Sequence, residues 1–171
     1  MYVFDATPLI SLASTDRLDL VASLDDPRCM PESVYEEVVT AGIDAGHADA
    51  RRIERAVEEG MLAVESDPDP DAALVERLSR ADALSEADVA VLALADVRDG
   101  TAVMDEAYGR SVADTEGIHT RGTAFVVLRA QRHGAIGPDE SRTAIDDLLD
   151  AGWYCAPDLY ARILEKIEEI G

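Results

Sequence analysis

Four carboxylates in this chain stand where an α/β protein could use them together. Asp5 follows the run Tyr2-Val3-Phe4, and Asp105 follows Thr101-Ala102-Val103-Met104, so each is an acid at the end of an expected short strand. Glu37 lies in the segment SVYEEV and Asp88 in SEADVAV, both early in expected helices. Open parallel sheets present ligands at the carboxyl ends of their strands. Right-handed crossovers would bring the first turns of the following helices to that same edge. Carboxylates crowded together raise each other's pKa, and a bound divalent ion reverses that logic. His47, His119 and His133 show no ligand spacing, and neither do Cys29 and Cys155. An all-oxygen set suits Mg²⁺ or Mn²⁺ rather than zinc. Such an ion polarises a phosphoryl oxygen, activates a water and steadies the leaving oxygen. The expected chemistry is therefore metal-assisted phosphodiester hydrolysis. In a chain with 36 acidic residues among 171, four well-placed acids also arise easily as solvated helix-end carboxylates. On pattern alone that plainer reading carries more weight.

The elements that must position these acids follow from local pattern. MYVFD reads as a strand ending in acid, and Thr7-Pro8 suits the start of a helix through PLISLAST. DRLDLVASL has apolar residues at helical spacing, and RCMP reads as a second strand. Pro31 opens the helix PESVYEEVVTAG, with Gly42 as its expected end. Residues 48–60 form an amphipathic helix with Ile53, Ala56 and Val57 on one face, and MLAVES follows as a strand. DPDPDA is a polar turn before a helix reaching about Ala81. LSEADVAVLALADV is the strongest helix, with Ser85 as N-cap, acids in the first turn and a body apolar enough to be buried. TAVMD is a strand, YGRSVADTEG a helix, IHTRGTA a strand-to-turn segment, and three further helices complete the chain. Short strands alternating with helices predict α/β architecture with a mainly parallel sheet. No repeat or linker divides residues 1–171, so one domain is expected, with the helices of about 139–171 packing on it.

Composition sets the setting. Nearly half the residues are hydrophobic, which argues against disorder, and no run approaches the roughly 18 apolar residues of a membrane span. The start of the chain lacks the basic and apolar regions of a signal peptide, so a cytoplasmic protein is expected. The net charge is −21, and Lys166 is the only lysine. The plain reading is adaptation to a salty cytoplasm in a halophilic organism. At 1 M salt the Debye length is about 3 Å, so the repulsion is screened beyond contact range. The alternative is that the acidity selects a basic partner.

The ordered segments FDATPLISLASTDRLDLV, MPESVYEEVV, LSEADVAVLALA, AVMDEAYGRSVA, GTAFVVLRAQRHGAI and AGWYCAPDLYARIL run along nearly the whole chain. In that order and spacing they resemble the PIN domain superfamily, and more closely its DUF3368 group. The resemblance implies a three-layer α/β/α sandwich with a mainly parallel sheet and an acidic metal site at one edge. It implies a Mg²⁺- or Mn²⁺-dependent nuclease acting on RNA. Carried over by position, the catalytic and metal-binding acids are Asp5, Glu37, Asp88 and Asp105, with Thr7 supporting the site by hydrogen bonding. Glu86 would assist through a water. Glu36 is a weaker choice than Glu37, and Glu106 competes with Asp105 for the fourth position, ahead of Asp114. The chain departs from the family where it has Ala87-Asp88 in place of a frequent glycine and glutamate, and Asp105-Glu106 in place of two aspartates. Both changes retain carboxylates and alter reach.

The resemblance allows either the toxin of a toxin–antitoxin pair, blocked by a small antitoxin protein, or an RNA-processing nuclease without one. It also implies a homodimer. Arg110 and Tyr108 are modest candidates for substrate contact. Arg51, Arg52 and Arg55, and likewise Arg129, Arg132 and His133, could meet phosphate, but pairing with nearby acids is the favoured reading. Trp153 and Tyr154 are expected to anchor the last helix rather than to stack on bases. A receiver domain would need a lysine near its last strand, which is missing. A haloacid-dehalogenase-type phosphatase would need a second aspartate where Thr7 stands. The serious rival is a non-catalytic PIN module that binds RNA or protein.

Overall fold

The computed structural model describes residues 1–69 and 72–171. Its centre is a five-stranded, all-parallel sheet in the order β3-β2-β1-β4-β5. The strands are β1 (Tyr2–Phe4), β2 (Arg28–Pro31), β3 (Ala63–Glu65), β4 (Thr101–Val103) and β5 (His119–Arg121). The inner strands are buried, whereas β3 and β5 are mostly exposed. Edge strands of three residues leave little free ladder for another chain to pair with. Parallel strands need long crossovers, and helices supply them. These are α1 (Ala6–Ser14), a 3₁₀ segment (Leu18–Ser23), α2 (Glu32–Tyr35), a π-helical turn (Glu36–Thr40), α3 (Ala41–Asp44), α4 (Ala48–Glu58), α5 (Ala73–Leu78) and α6 (Glu86–Val97). After β4 come α7 (Ala107–Glu116), α8 (Thr123–Arg132), α9 (Pro138–Asp150) and α10 (Pro157–Ile170). No helix among the described residues is long and apolar enough to cross a membrane.

The expected α/β architecture is what forms, with three local differences. DRLDLVASL makes 3₁₀ rather than α-helix, a tighter form suited to short connections. The helix after β2 does not stop at Gly42 but runs on to Asp44. Gly42 serves close approach instead, since a Cβ there would lie 2.7 Å from the Ala50 Cβ of α4. Gly42→Ala is therefore expected to cost about 1–3 kcal/mol in urea denaturation, the usual penalty of overpacking. The third difference is the π turn within that same helix. The DPDPDA turn falls partly on Pro70 and Asp71, which lie outside the described residues.

Helix α6 packs across β1, β2 and β4, and its run from Val89 to Ala95 is buried throughout. Phe4, Leu9, Leu12, Met30, Leu92 and Met104 fill the core around it. Helices α9 and α10 pack on α8 and on each other. Gln131 Nε2 of α8 donates to the Ile167 carbonyl of α10 at 2.8 Å. Arg17 reaches Asp147 and Glu140 of α9, tying the C-terminal helices to the start of the chain.

Candidate functional site

The strand order places β1 directly beside β4, with β2 and β3 on one side and β5 on the other. The point where strand order reverses is where a parallel sheet opens a crevice at its carboxyl edge. Asp5 leaves β1 there as the residue before α1, its backbone N–H donating to the Val103 carbonyl of β4 at 3.0 Å. The short apolar run of β1 carries the carboxyl down with it, so Asp5 is only 5% exposed. Burial pushes its carboxyl up to about 7 from an ordinary 3.8. The Ala6 backbone N–H pulls the other way, and the charges of Asp88, Glu37 and Asp105 add to the rise. The charges of the other three predicted acids thus all act on the one buried carboxyl.

Each of the other three is held differently. Asp88 sits half-buried at the start of α6 in a reciprocal capping box. Its Oδ2 accepts from the Ser85 N–H at 2.8 Å, and its own N–H donates to Ser85 Oγ at 3.1 Å. This pairing satisfies orphan donors of the first turn and orients the carboxylate. Ser85→Ala is expected to lose about 1 kcal/mol of stability by urea denaturation. Glu37 is exposed within the π turn, between α2 and the buried pair Val38 and Val39. A single π turn inserted in an α-helix shifts the facing of the residues that follow and is frequent at functional sites.

Asp105 is the most tightly held. Its Oδ1 accepts from the Thr123 backbone N–H at 2.8 Å, and its Oδ2 from Thr123 Oγ1 at 2.6 Å and Trp153 Nε1 at 3.1 Å. Thr123 is the first residue of α8, and the residue before it, Gly122, has no side chain to cap the helix. The Asp105 carboxylate therefore acts as the anion at that helix N-terminus from elsewhere in the chain. Gly122 makes the approach feasible, because a Cβ there would lie 2.9 Å from Asp105 Oδ1.

The remaining candidates separate clearly. Glu106 is exposed and caps α7, its Oε2 accepting from the Gly109 N–H at 2.6 Å. Glu86 and Asp114 are exposed, and neither they nor Glu106 are among the charges acting on Asp5. Beside Asp105, between α1, α7 and the loop from α9 to α10, opens a cavity of about 830 Å³. Thr7, Arg110 and Glu106 line it; Tyr108, though exposed, does not. Arg51 pairs with Glu54, Arg52 with Asp16, and Arg129 and His133 with Asp25, so those basic groups are engaged by acids. Burial raises both thiols, Cys29 to about 11, which works against the thiolate form in each.

Sequence reasoning missed Gly122 and Thr123 as site residues and took the segment only as strand-to-turn. A Gly-Thr pair directly before an apolar helical run was the available signal. Trp153 was expected as an anchor, but the group it binds could not be read from its position.

The donor set can be tested against a divalent ion. Among the described residues, no three acid, histidine or cysteine side chains close on one point as a ready cage. Mg²⁺ does not require one, since it keeps several waters and is commonly held by one or two carboxylates. A buried carboxyl beside three further acids, with all-oxygen donors, is electrostatically suited to a hard cation. A search of curated proteins finds no match, and a search of solved structures finds none either. The DUF3368 family, described as a PIN domain, matches residues 1–169. Its span takes in the parallel sheet, the crevice between β1 and β4 and all four acids, and the chain belongs to this PIN domain family, a family generally of Mg²⁺-dependent nucleases.

Proposed function

We propose that this chain is a metal-dependent endoribonuclease and that residues 1–171 act as a single domain. The observation that carries the reading is the Asp5 carboxyl, buried at the carboxyl end of β1 where the charges of Asp88, Glu37 and Asp105 act on it. Like charge acting on a buried carboxyl raises the energy of the metal-free protein and is offset by a cation. Asp5, Glu37 and Asp88 would hold Mg²⁺ or Mn²⁺, with Asp105 as the fourth carboxylate and Glu86 acting through a water. When bound, the ion supplies Lewis-acid activation of the phosphodiester and of the attacking water.

The chain's own residues then have distinct tasks. Asp5, fixed at the end of β1, would present its carboxylate to the ion in a place from which bulk water is largely excluded. Asp105 is held in one orientation by Thr123 and Trp153, in the wall of the cavity beside it. Asp88 is set by its capping box, and Glu37 by the π turn. Thr7, in the first turn of α1, offers a hydroxyl at the cavity wall. A homodimer and a small antitoxin protein are the partners this reading expects, the latter only if the chain is a toxin.

The test is cleavage of single-stranded and structured RNA by the partner-free protein in high salt. Cutting with Mn²⁺ or Mg²⁺ that stops in EDTA is expected. A folded protein that cuts under no metal would instead favour a module that only binds RNA or protein.

A further inference from the structure

Trp153 and Tyr154 are neighbours with opposite fates. Trp153 is 9% exposed with its indole N–H on Asp105, whereas Tyr154 is 85% exposed at the same cavity. Ile10 and Leu159, both partly open to solvent, line that cavity with it. So does Arg110, which makes no ion pair among the described residues. Its guanidinium lies near Asp105, since a Cβ at Gly122 would stand 2.9 Å from Asp105 Oδ1 and 3.4 Å from Arg110 Nη1, yet the two form no salt bridge.

We propose that this cavity is a nucleotide subsite, in which a base stacks on Tyr154 beside Ile10 and Leu159 while a phosphate meets Arg110. The identification of the ligand as RNA rests on the nuclease reading above. The combination fits a nucleotide because a base offers a flat apolar face and its phosphate an anion with the geometry of a guanidinium partner. An apolar peptide would cover Arg110 without pairing it, whereas a nucleotide brings a phosphate to it. A base can stack on Tyr154 only if its face is free, so the substrate class is single-stranded rather than duplex RNA. The strand would pass from Tyr154 toward Asp105, which lines the same cavity.

The experiment measures binding of a short labelled single-stranded RNA, and of its duplex, by fluorescence anisotropy in EDTA. The full chain is compared with Tyr154→Ala, Tyr154→Phe and Arg110→Ala over the salt range in which circular dichroism shows each folded. Tyr154→Ala is expected to weaken single-strand binding by about tenfold or more at every salt concentration, with Tyr154→Phe close to wild type. Arg110→Ala is expected to weaken it mainly at the lower salt and to reduce the salt slope by about 1. Tyr154→Ala should leave duplex binding unchanged. Equal binding of the single strand by wild type and Tyr154→Ala overturns the subsite, as does an equal loss for duplex and single strand. A Tyr154→Ala variant that turns a dimer into a monomer with unchanged RNA affinity also overturns it. None of these results bears on whether the metal site cuts RNA, which the EDTA-sensitive cleavage assay decides separately.

Discussion

Asp5→Asn is expected to reduce metal-dependent RNA cleavage by about 10³-fold or more, while making the metal-free protein more stable above pH 7. Both effects come from one buried charge. The Asp5 carboxyl titrates near 7 in the folded chain against an ordinary 3.8. Between those values the folded state binds a proton that the unfolded chain has released, so stability falls as pH rises. The contribution is fully present below about pH 4 and is lost by the time pH passes the folded value. The ionised carboxylate above pH 7 thus costs about 4 kcal/mol. Asparagine removes that charge but buries an amide, which leaves a net gain of about 1–3 kcal/mol. The check is the difference in melting temperature between wild type and variant, followed from pH 4 to pH 8 in EDTA. Adding Mn²⁺ should raise the wild-type value by mass action and move the variant little. A variant that shows the wild-type pH slope, or the wild-type response to Mn²⁺, would remove Asp5 from the centre of the site.

Asp105→Asn is expected to have the opposite sign, costing about 3 kcal/mol at neutral pH, although it too should abolish cleavage. Here the carboxylate accepts from Thr123 N–H, Thr123 Oγ1 and Trp153 Nε1. An asparagine can keep the first of these through its carbonyl oxygen, and its NH₂ can donate to Thr123 Oγ1, which also accepts. Its NH₂ then faces the indole N–H, a group that can only donate. Hydrogen bonds to charged groups are worth about 1.5–3 kcal/mol each, and a buried donor left unmade adds a desolvation penalty. Loss of the anion at the start of α8 adds a further part. Urea denaturation of Asp105→Asn, Trp153→Phe and the double variant measures this directly. The double variant should lose less than the sum of the two, because the indole and the carboxylate share one bond. If Asp105→Asn stabilises the protein as Asp5→Asn does, the three bonds do not form in solution. Two aspartates one strand apart would then be electrostatically alike, contrary to the geometry.

Much of the local structure was legible in advance because its causes are local. Ser85 with Asp88 three residues on is a capping signal within one turn, and the capping box forms. The apolar runs ending in Asp5 and Asp105 announce strands followed by acids, and both strands form next to each other. The pairing of Arg51, Arg52 and Arg129 with acids follows from how many acids surround them. The failures are of another kind. Gly42 looked like a helix end by residue type, but its role depends on Ala50, which only the packing of α3 on α4 brings near. The π turn at Glu36–Thr40 leaves no mark in residue spacing that an ordinary helix would lack.

The sequence by itself determined the chemistry in stock: which carboxylates exist, that each follows a strand or opens a helix, and that no histidine or cysteine set competes with them. These depend on residue type and on neighbours a few positions away, where propensity, capping and charge act. Only the tertiary structure decided that β1 lies beside β4, that Asp5 is buried while Glu106 turns to cap α7, and that Trp153 goes inward while Tyr154 stays out. Those outcomes turn on contacts between residues far apart in the chain. The burial and donors that distinguish one acid from the next come from partners that local sequence cannot name.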